Sequence, residues 1–244
     1  AIVTGANKGV GLEIARQLLP TVTLLVLACR DAGRGEAAAK ALGPPSVFEE
    51  LDTSSPESID AFAERVATKY GRLDVLVNNA GVMSEGDAAR TLETNFHGPV
   101  RLTEKLLPLL RQSPDGAVVN VASQLGALSQ VSKPRQKELS ASDLTKEQLL
   151  NNVADYEEHG KGWSGSCYGM SKLFLIAYTK VLAREENGTA LKVNACCPGY
   201  CNTDMTAGRG PRPPADGARN AVMLAGPNCP LHGAFVKNER PATW

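Results

Sequence analysis

Tyr168 and Lys172 lie four positions apart in the segment YGMSK and are well suited to proton transfer. On a helix they share one face, and a neighbouring ammonium stabilises phenolate and so lowers the pKa of the phenol. Ser123 follows the aliphatic run VVNVA, and a hydroxyl just past a strand end can hydrogen-bond an oxygen that gains negative charge. These residue types predict a site in which Tyr168 is a general acid. A lone Tyr-x-x-x-Lys pair is usually surface decoration, so the prediction depends on the accompanying motifs.

A glycine-rich turn, TGANKGVG, directly follows the first aliphatic run and opens a predicted helix. Glycines at such a turn let backbone N–H groups approach a pyrophosphate at the positive end of the helix. A glycine trio alone can also be an ordinary turn, so the strand–turn–helix context carries the interpretation. The residues that we predict to contact a dinucleotide here are Gly5, Asn7, Lys8, Gly9 and Val10.

The second predicted strand ends at Arg30, where a dinucleotide-binding fold commonly has an acidic residue for the ribose hydroxyls. Arg34 follows one helical turn later. With Lys8, these cations suit a 2′-phosphate and predict NADP(H); alternatively, Arg30 and Arg34 are ordinary solvated charges. Asp52 closes the third predicted strand and is a candidate acceptor for the adenine amino group, or else a cap or turn residue. After the fourth strand, the small residues that can lie against the cofactor are Asn79, Ala80 and Gly81.

Short aliphatic runs alternate with helical stretches along the chain, a pattern that predicts a doubly wound α/β fold of the Rossmann type. Most runs are nearly continuous, as expected of parallel strands buried on both faces. The clearest helix is predicted over residues 56–70, with Ser54 or Ser55 as its cap. We expect one domain over residues 1–244 with a mainly parallel seven-stranded sheet, its strands at residues 2–4, 23–28, 47–51, 73–77, 117–121, 191–195 and 234–236.

One polar segment, residues 133–162, breaks this alternation between the fifth strand and the next helix. We interpret it as a helical insertion rather than a domain. Its residues 144–156 form an apolar stripe that needs a surface to cover, and the stripe consists of Leu144, Leu149, Leu150, Val153 and Tyr156.

Composition excludes several classes of protein. The 26 Lys and Arg residues balance 26 Asp and Glu residues, which argues against nucleic acid as the partner. No apolar stretch is long enough for a membrane span, and the first residues lack signal-peptide features. Six cysteines in 244 residues are too sparse for a disulfide scaffold, so we expect a reduced, cytoplasmic protein. The three histidines are scattered and no Cys-x-x-Cys occurs, so we expect no metal site.

In this order along the chain, the glycine turn, NNAG, Asn95 in TNFHG, Ser123 and YGMSK resemble the short-chain dehydrogenase/reductase family. The segments NACCPGY and FVKNERPATW resemble its monomeric carbonyl-reductase branch. The resemblance covers essentially the whole chain. It implies NADPH-dependent reduction of a small carbonyl compound, such as a quinone, aldehyde or ketone. Tyr168 would protonate the oxygen, Ser123 would stabilise it, and Lys172 would bind the nicotinamide ribose and tune Tyr168. Asn95 would hold a water in a proton relay through the lysine.

The resemblance also implies residues around the nicotinamide and the substrate. Thr203 would bind the carboxamide, and the loop that cradles the nicotinamide comprises Pro198, Gly199, Cys201, Asn202 and Thr203. Cys197 would line the substrate pocket, although a small buried residue is an equally good interpretation. Tyr200 replaces the Trp of animal carbonyl reductases, so the substrate cannot be carried over. The candidate substrate contacts are Ser123, Gln124, Cys197, Tyr200 and Met205.

In the carbonyl-reductase branch, an insertion of this kind covers the helix surface that relatives use for dimerisation, which implies a monomer. The alternative is a disordered loop over an ordinary dimer. Two rival functions also remain open. A non-catalytic NADP(H) sensor usually loses one of the residues Asn95, Ser123, Tyr168 and Lys172, all of which are present. An alcohol or hydroxysteroid dehydrogenase working oxidatively with NAD should carry Asp or Glu where this chain has Arg30.

Overall fold

The computed structural model describes residues 1–84, 86–159 and 163–244. Within these ranges, eight strands form one sheet of order β3-β2-β1-β4-β5-β6-β7-β8. The strands are β1 (Ile2–Thr4), β2 (Leu25–Cys29), β3 (Ser46–Glu50), β4 (Val75–Asn78), β5 (Ala117–Val121), β6 (Lys192–Cys196), β7 (Phe235–Lys237) and β8 (Arg240–Pro241). Neighbouring strands are parallel except β8, which runs antiparallel to β7. The doubly wound α/β prediction is confirmed, but the predicted seven strands omitted β8, which is too short for a sequence pattern.

Helices cover both faces of the sheet. They are α1 (Gly9–Leu18), α2 (Ala32–Leu42), α3 (Pro56–Lys69), α4 (Ala88–Leu92), α5 (Gly98–Leu110), α6 (Lys133–Leu139), α7 (Lys146–His159), α8 (Cys167–Glu185) and α9 (Pro214–Ala225). One buried layer contains Ile14 of α1 and Leu224 of α9. The other contains Phe62 of α3, Leu106 of α5 and Phe174 of α8. Because apolar side chains on both faces are removed from water, β1, β2, β4, β5 and β6 are buried almost throughout.

A side-chain cap and a proline determine where α3 begins. The hydroxyl of Ser55 accepts a hydrogen bond from the Ser58 N–H at 3.1 Å, and Pro56 is the first residue of α3. Proline suits that position because its missing N–H would have no partner inside the helix. The helix ends at Lys69, one residue before the predicted end.

The order of the strands reverses at β1, which pairs with β2 on one side and β4 on the other. In an open parallel sheet, the crevice outside the carboxyl ends of such strands is the usual place for a ligand. The glycine turn follows β1 and the NNAG segment follows β4. Topology therefore places both predicted cofactor-binding segments at the same crevice.

The predicted insertion consists of α6 and α7, and its residues 160–162 lie outside the described part of the chain. Helix α7 packs against α8, burying Leu149 and Val153 completely. Tyr156 meets the ring of Phe174 edge-on at 5.8 Å between centroids. Leu150 is 38% exposed, so its assignment to the apolar stripe was wrong: it lies next to the buried face rather than on it.

No helix within the described ranges combines the length and apolar character that crossing a bilayer requires.

Candidate active site

Tyr168 and Lys172 lie in the first turns of α8. Ser166 caps this helix, since its hydroxyl accepts a hydrogen bond from the Gly169 N–H at 3.1 Å. The Lys172 ammonium lies 5.7 Å from the centroid of the Tyr168 ring and donates to the Val121 carbonyl at the end of β5 at 2.9 Å. Lys172 is only 4% exposed. The cation is therefore held in place beneath the phenol by the sheet itself.

Burial shifts the pKa values of both groups. It raises the pKa of Tyr168 to about 12, with the Cys197 thiol acting in the same direction and the nearby Ser123 hydroxyl acting against it. Burial also lowers the pKa of Lys172 to about 8. The expectation of a lowered pKa for Tyr168 was wrong for this structure, because removing the phenolate from water dominates the shift.

Ser123 lies beyond the end of β5 and begins a short 3₁₀ turn, Gln124–Gly126. Its hydroxyl accepts a hydrogen bond from the Leu125 N–H at 3.1 Å and lies near the Tyr168 phenol, whose pKa it acts to lower. Cys197 lies behind this turn: its sulfur accepts hydrogen bonds from the Gln124 N–H at 3.2 Å and the Gly199 N–H at 3.3 Å. Cys197 is 2% exposed, so its side chain joins the loops after β5 and β6.

Asn95 lies in a π-helical turn, Glu93–His97, between α4 and α5, and such turns are frequent at functional sites. Its amide oxygen accepts from the Val82 N–H and its amide nitrogen donates to the Val82 carbonyl, both at 2.8 Å. The same nitrogen donates to the Ser171 hydroxyl at 3.0 Å, which in turn donates to the Tyr168 carbonyl at 2.8 Å. The side chain of Asn95 thus ties the segment after β4 to α8, and the predicted proton relay remains a prediction.

The glycine turn lies directly against the NNAG segment. Gly5 has φ +63°, and a Cβ there would lie 2.9 Å from the Cα of Ala80, so neither the backbone nor the space admits a side chain. The Thr4 hydroxyl accepts from the N–H groups of Asn79 and Ala80 at 3.0 and 2.9 Å. A Cβ on Gly81 would lie 3.2 Å from the Asn95 amide oxygen and 3.4 Å from the Lys172 ammonium. Small residues thus form the floor of the crevice between the glycine turn and the residues Asn95 and Lys172.

Gly9 and Lys8 of the glycine turn lie against the loop after β6. A Cβ on Gly9, which has φ +56°, would lie 3.3 Å from the Thr203 methyl. Asn7 and Val10 are half-buried at the start of α1. Because backbone N–H groups at the start of α1 face a crevice floored by small residues, the cradle fits a pyrophosphate.

The structure gives each of the three predicted corner cations a carboxylate partner. Arg30 lies 3.5 Å from Asp52, and the two other pairs are Lys8–Asp204 at 2.7 Å and Arg34–Asp31 at 3.1 Å. The hydrogen bond and charge of Lys8, and then the charge of Arg34, lower the pKa of Asp204. Lys8 and Arg34 thus both lie near Asp204. Such exposed pairs are weak, so an incoming phosphate can compete for their cations.

Asp52 has a structural function as well. Its carboxylate accepts from the Ser54 N–H at 2.9 Å and the Ser54 hydroxyl at 2.6 Å. Partial burial acts to raise the pKa of Asp52, but the Ser54 hydrogen bonds and the Arg30 charge lower it. Asp52 therefore forms the turn after β3, as the alternative interpretation of its position proposed, while its carboxylate faces Arg30.

Local hydrogen bonds hold the loop predicted to cradle a nicotinamide. Asn202 N–H donates to the Arg212 carbonyl at 2.8 Å, and the Cys201 thiol donates to the Pro198 carbonyl at 3.3 Å. Thr203 caps the 3₁₀ turn Asp204–Thr206, and Gly199 adopts φ +83°. The loop is thus shaped largely by its own backbone and returns Thr203 to the glycine turn.

Large apolar side chains are exposed around the mouth of the crevice. Tyr200 and Met205 in the loop after β6 are 53% and 42% exposed. Met83 follows β4 and is 45% exposed, and Leu125 follows Ser123 and is 50% exposed. We call these four residues the apolar rim. Met83 and Leu125 were missed by the sequence analysis, although each comes within a few residues of a strand end.

Three further residues that support the site were also missed: Ser171, Asp204 and Trp244. Ser171 lies inside YGMSK, next to Lys172, so the sequence could have indicated that it lies close to the site. Asp204 pairs with Lys8, 196 positions away, and no sequence pattern indicates that contact. In the part of the chain that the structure describes, no group of three His, Cys, Asp or Glu residues is placed to hold a metal ion.

Comparison with known proteins identifies the family. The model of the short chain dehydrogenase family matches residues 1–160 and 152–213, and the chain belongs to this family. It is 36% identical to carbonyl reductase (NADPH) 1 of Mus musculus over 276 aligned residues, covering 100% of this chain and 98% of that protein. It is 37% identical to carbonyl reductase (NADPH) 3 of Rattus norvegicus over 272 aligned residues, with the same coverage.

Solved structures agree with this assignment. The structure of salutaridine reductase from Papaver somniferum superposes with a TM-score of 0.85 at 32% identity, covering 96% of this chain and 98% of that one. The three related proteins named here are all reductases. The matches to the two carbonyl reductases span the whole chain and so include the loops after β4, β5 and β6.

Proposed function

We propose that this chain is an NADPH-dependent carbonyl reductase that converts quinones, aldehydes or ketones into alcohols. The observation that carries the proposal is the Tyr168 phenol, which lies near the Ser123 hydroxyl and has the buried Lys172 ammonium 5.7 Å from its ring centroid. These three side chains lie at a crevice whose floor is formed by small residues, and that shape suits a dinucleotide. Similarity over the whole chain to proteins named carbonyl reductase (NADPH) supports the same reaction.

Bound NADPH would supply the hydride to the carbonyl carbon. The Ser123 hydroxyl hydrogen-bonds the substrate oxygen as it gains negative charge, and Tyr168 donates a proton to it. A pKa of about 12 suits this task, because an alkoxide is a much stronger base than a phenolate. Lys172, with a pKa of about 8, is mostly charged near neutral pH. It can therefore stabilise the phenolate and return a proton toward it.

The choice of NADPH over NADH rests on the corner formed by Arg30, Arg34 and Lys8. A 2′-phosphate carries more negative charge than any one of the carboxylates that now face these cations. The exposed pairs with Asp52, Asp31 and Asp204 can therefore rearrange at little cost. The charge-assisted hydrogen bonds gained by the phosphate then favour NADPH.

The apolar rim supports hydrophobic rather than charged substrates. Tyr200 and Met205 lie on the loop that also carries the predicted nicotinamide contacts, and Leu125 lies two residues from Ser123. Exposed apolar side chains around a polar centre are typical of a ligand pocket. We propose that Gln124, Tyr200 and Met205 contact the substrate, whereas Cys197 supports the loops from behind.

Loss of reduced-nicotinamide absorbance tests the proposed function. We expect NADPH oxidation that depends on an added quinone, aromatic aldehyde or hydrophobic ketone, and little oxidation with charged keto acids. The matched reverse assay uses NADP⁺ or NAD⁺ with alcohols and hydroxysteroids. Binding of NADPH with no turnover of any substrate would favour a sensor, and faster turnover of alcohols with NAD⁺ would favour an oxidative dehydrogenase.

We further propose that residues 1–244 act as a single domain that is monomeric in solution. Helix α7 covers the outer face of α8, and 14 of the 19 residues of α8 are buried. This cover leaves no self-complementary patch on α8. Sedimentation equilibrium at micromolar concentration should therefore give a species near 25.8 kDa, and one of twice that mass would contradict the proposal.

Two neighbouring leucines provide a matched pair of variants for this test. Leu149 is fully buried on the inner face of α7, whereas Leu150 on the same helix is 38% exposed. Leu149→Arg should detach α7 and expose α8, giving species of higher mass. Leu150→Arg adds the same charge without uncovering α8 and should remain monomeric.

A further inference from the structure

Trp244 contacts the turn that carries Ser123. Its indole N–H donates to the Gly126 carbonyl at 2.8 Å, and the Lys180 ammonium of α8 lies 5.7 Å from the centroid of its ring. The ring also packs against the buried layer that contains α8. Trp244, although far from Ser123 in sequence, is thereby hydrogen-bonded to the turn Gln124–Gly126 that Ser123 begins.

Gly126 is the point at which this turn touches the catalytic helix. A Cβ on Gly126 would lie 2.7 Å from the Leu173 nitrogen and 2.7 Å from the Lys172 carbonyl carbon. The Gly126 N–H donates to the Ser123 carbonyl at 3.0 Å. Ser123, Gly126 and the backbone of α8 at Lys172 therefore form one closely packed unit.

We propose that Trp244 is a positioning residue for Ser123: its indole N–H holds the 3₁₀ turn against α8 and so directs the Ser123 hydroxyl toward Tyr168. The inference rests on the proposed function, since it assigns Trp244 a part in the same reaction. The Trp244 indole bonds to Gly126 and stacks near Lys180, so it acts on Ser123 through Gly126.

The physical reason lies in how the turn is held. On one side, the Gln124 N–H donates to the Cys197 sulfur, which is a weak acceptor. On the other side, the Trp244 indole supplies a hydrogen bond of ordinary length to a carbonyl on a buried glycine. Removing that donor leaves a buried carbonyl without its partner and loosens the turn. A hydroxyl displaced by a fraction of an ångström stabilises the reacting oxygen less well.

Trp244→Phe tests the inference, because it keeps an aromatic ring beside Lys180 but deletes the N–H. Hydrogen exchange should show the Leu125 and Gly126 amides, which donate to Ser123, exchanging roughly fivefold to tenfold faster than in the unmodified protein. A thermal melt identifies any global loss of folding, which would accelerate exchange throughout the chain instead. The control Lys180→Met removes the cation from the ring and should leave exchange at both amides unchanged.

A double-mutant cycle with Ser123→Ala separates positioning from general support. Trp244→Phe should lower kcat by roughly fivefold to tenfold when Ser123 is present and should have little further effect when it is absent. The KM for NADPH should not change in either background. Equal losses in both backgrounds, or unchanged exchange at Leu125 and Gly126, would overturn the inference. The hydrogen-exchange measurement does not require turnover. If the unmodified protein shows no reductase activity, the proposed function fails, but the exchange rates at Leu125 and Gly126 still decide whether Trp244 holds the turn.

Discussion

Replacing Tyr168 with phenylalanine is expected to lower kcat for carbonyl reduction by roughly 10²- to 10⁴-fold, the usual contribution of a general acid. The substitution deletes the hydroxyl that lies near Ser123 while keeping the ring beside Lys172. Binding of NADPH should be largely retained, because the glycine turn and the corner cations are untouched. Steady-state kinetics and a titration of NADPH fluorescence measure the two effects separately.

The same helix offers a matched control. Tyr178 is buried further along α8, where its hydroxyl donates to the Glu104 carboxylate of α5 at 3.1 Å. Tyr178→Phe deletes the same group and should leave kcat unchanged, while costing about 1 kcal/mol of stability for the lost hydrogen bond. If Tyr168→Phe retained most of the activity, the proton donor would have to be another group.

Patterns confined to a few residues predicted the sheet well. The runs that became β4, β5 and β6 are nearly continuous in apolar residues, because strands covered by helices on both faces have no polar side. Those runs also gave the strand ends, and parallel strands bring their carboxyl ends to one edge. The sequence therefore placed Ser123 and the NNAG segment at that edge without any knowledge of the contacts between them.

Contacts between distant segments could not be predicted in the same way. Lys8 was predicted to be one of three cations at a 2′-phosphate corner, and no pattern indicated that Asp204, 196 positions away, pairs with it. The exposure of Leu150 depends on the rotation of α7 against α8, which a shared stripe of leucines does not fix. The pKa of Tyr168 depends on how completely its surroundings exclude water, and the spacing of Tyr168 and Lys172 carries no information about that burial.

The carboxylate partners of the corner cations change how the preference for NADPH should be tested. Arg30→Asp introduces a carboxylate that repels both Asp52 and the 2′-phosphate. The variant therefore combines a disturbance of the turn at Asp52 with a loss of phosphate binding. Arg30→Gln removes only the charge and keeps a hydrogen-bonding side chain. A graded loss across these two variants separates attraction to the phosphate from disturbance of the turn that Asp52 and Ser54 form.

We expect the unmodified protein to use NADPH with a much lower KM than NADH. Arg30→Asp should raise the KM for NADPH by roughly 10- to 100-fold, the range of one lost hydrogen bond to a charged group, and Arg30→Gln should fall between. The KM for NADH should stay constant or decrease, because NADH has no 2′-phosphate and its ribose hydroxyls can donate to the new carboxylate. Arg72→Asp reverses a charge paired with Asp74, at the start of β4 rather than at the corner, and should change neither value. Equal kinetics with both cofactors in the unmodified protein would contradict the assignment of this corner to the phosphate.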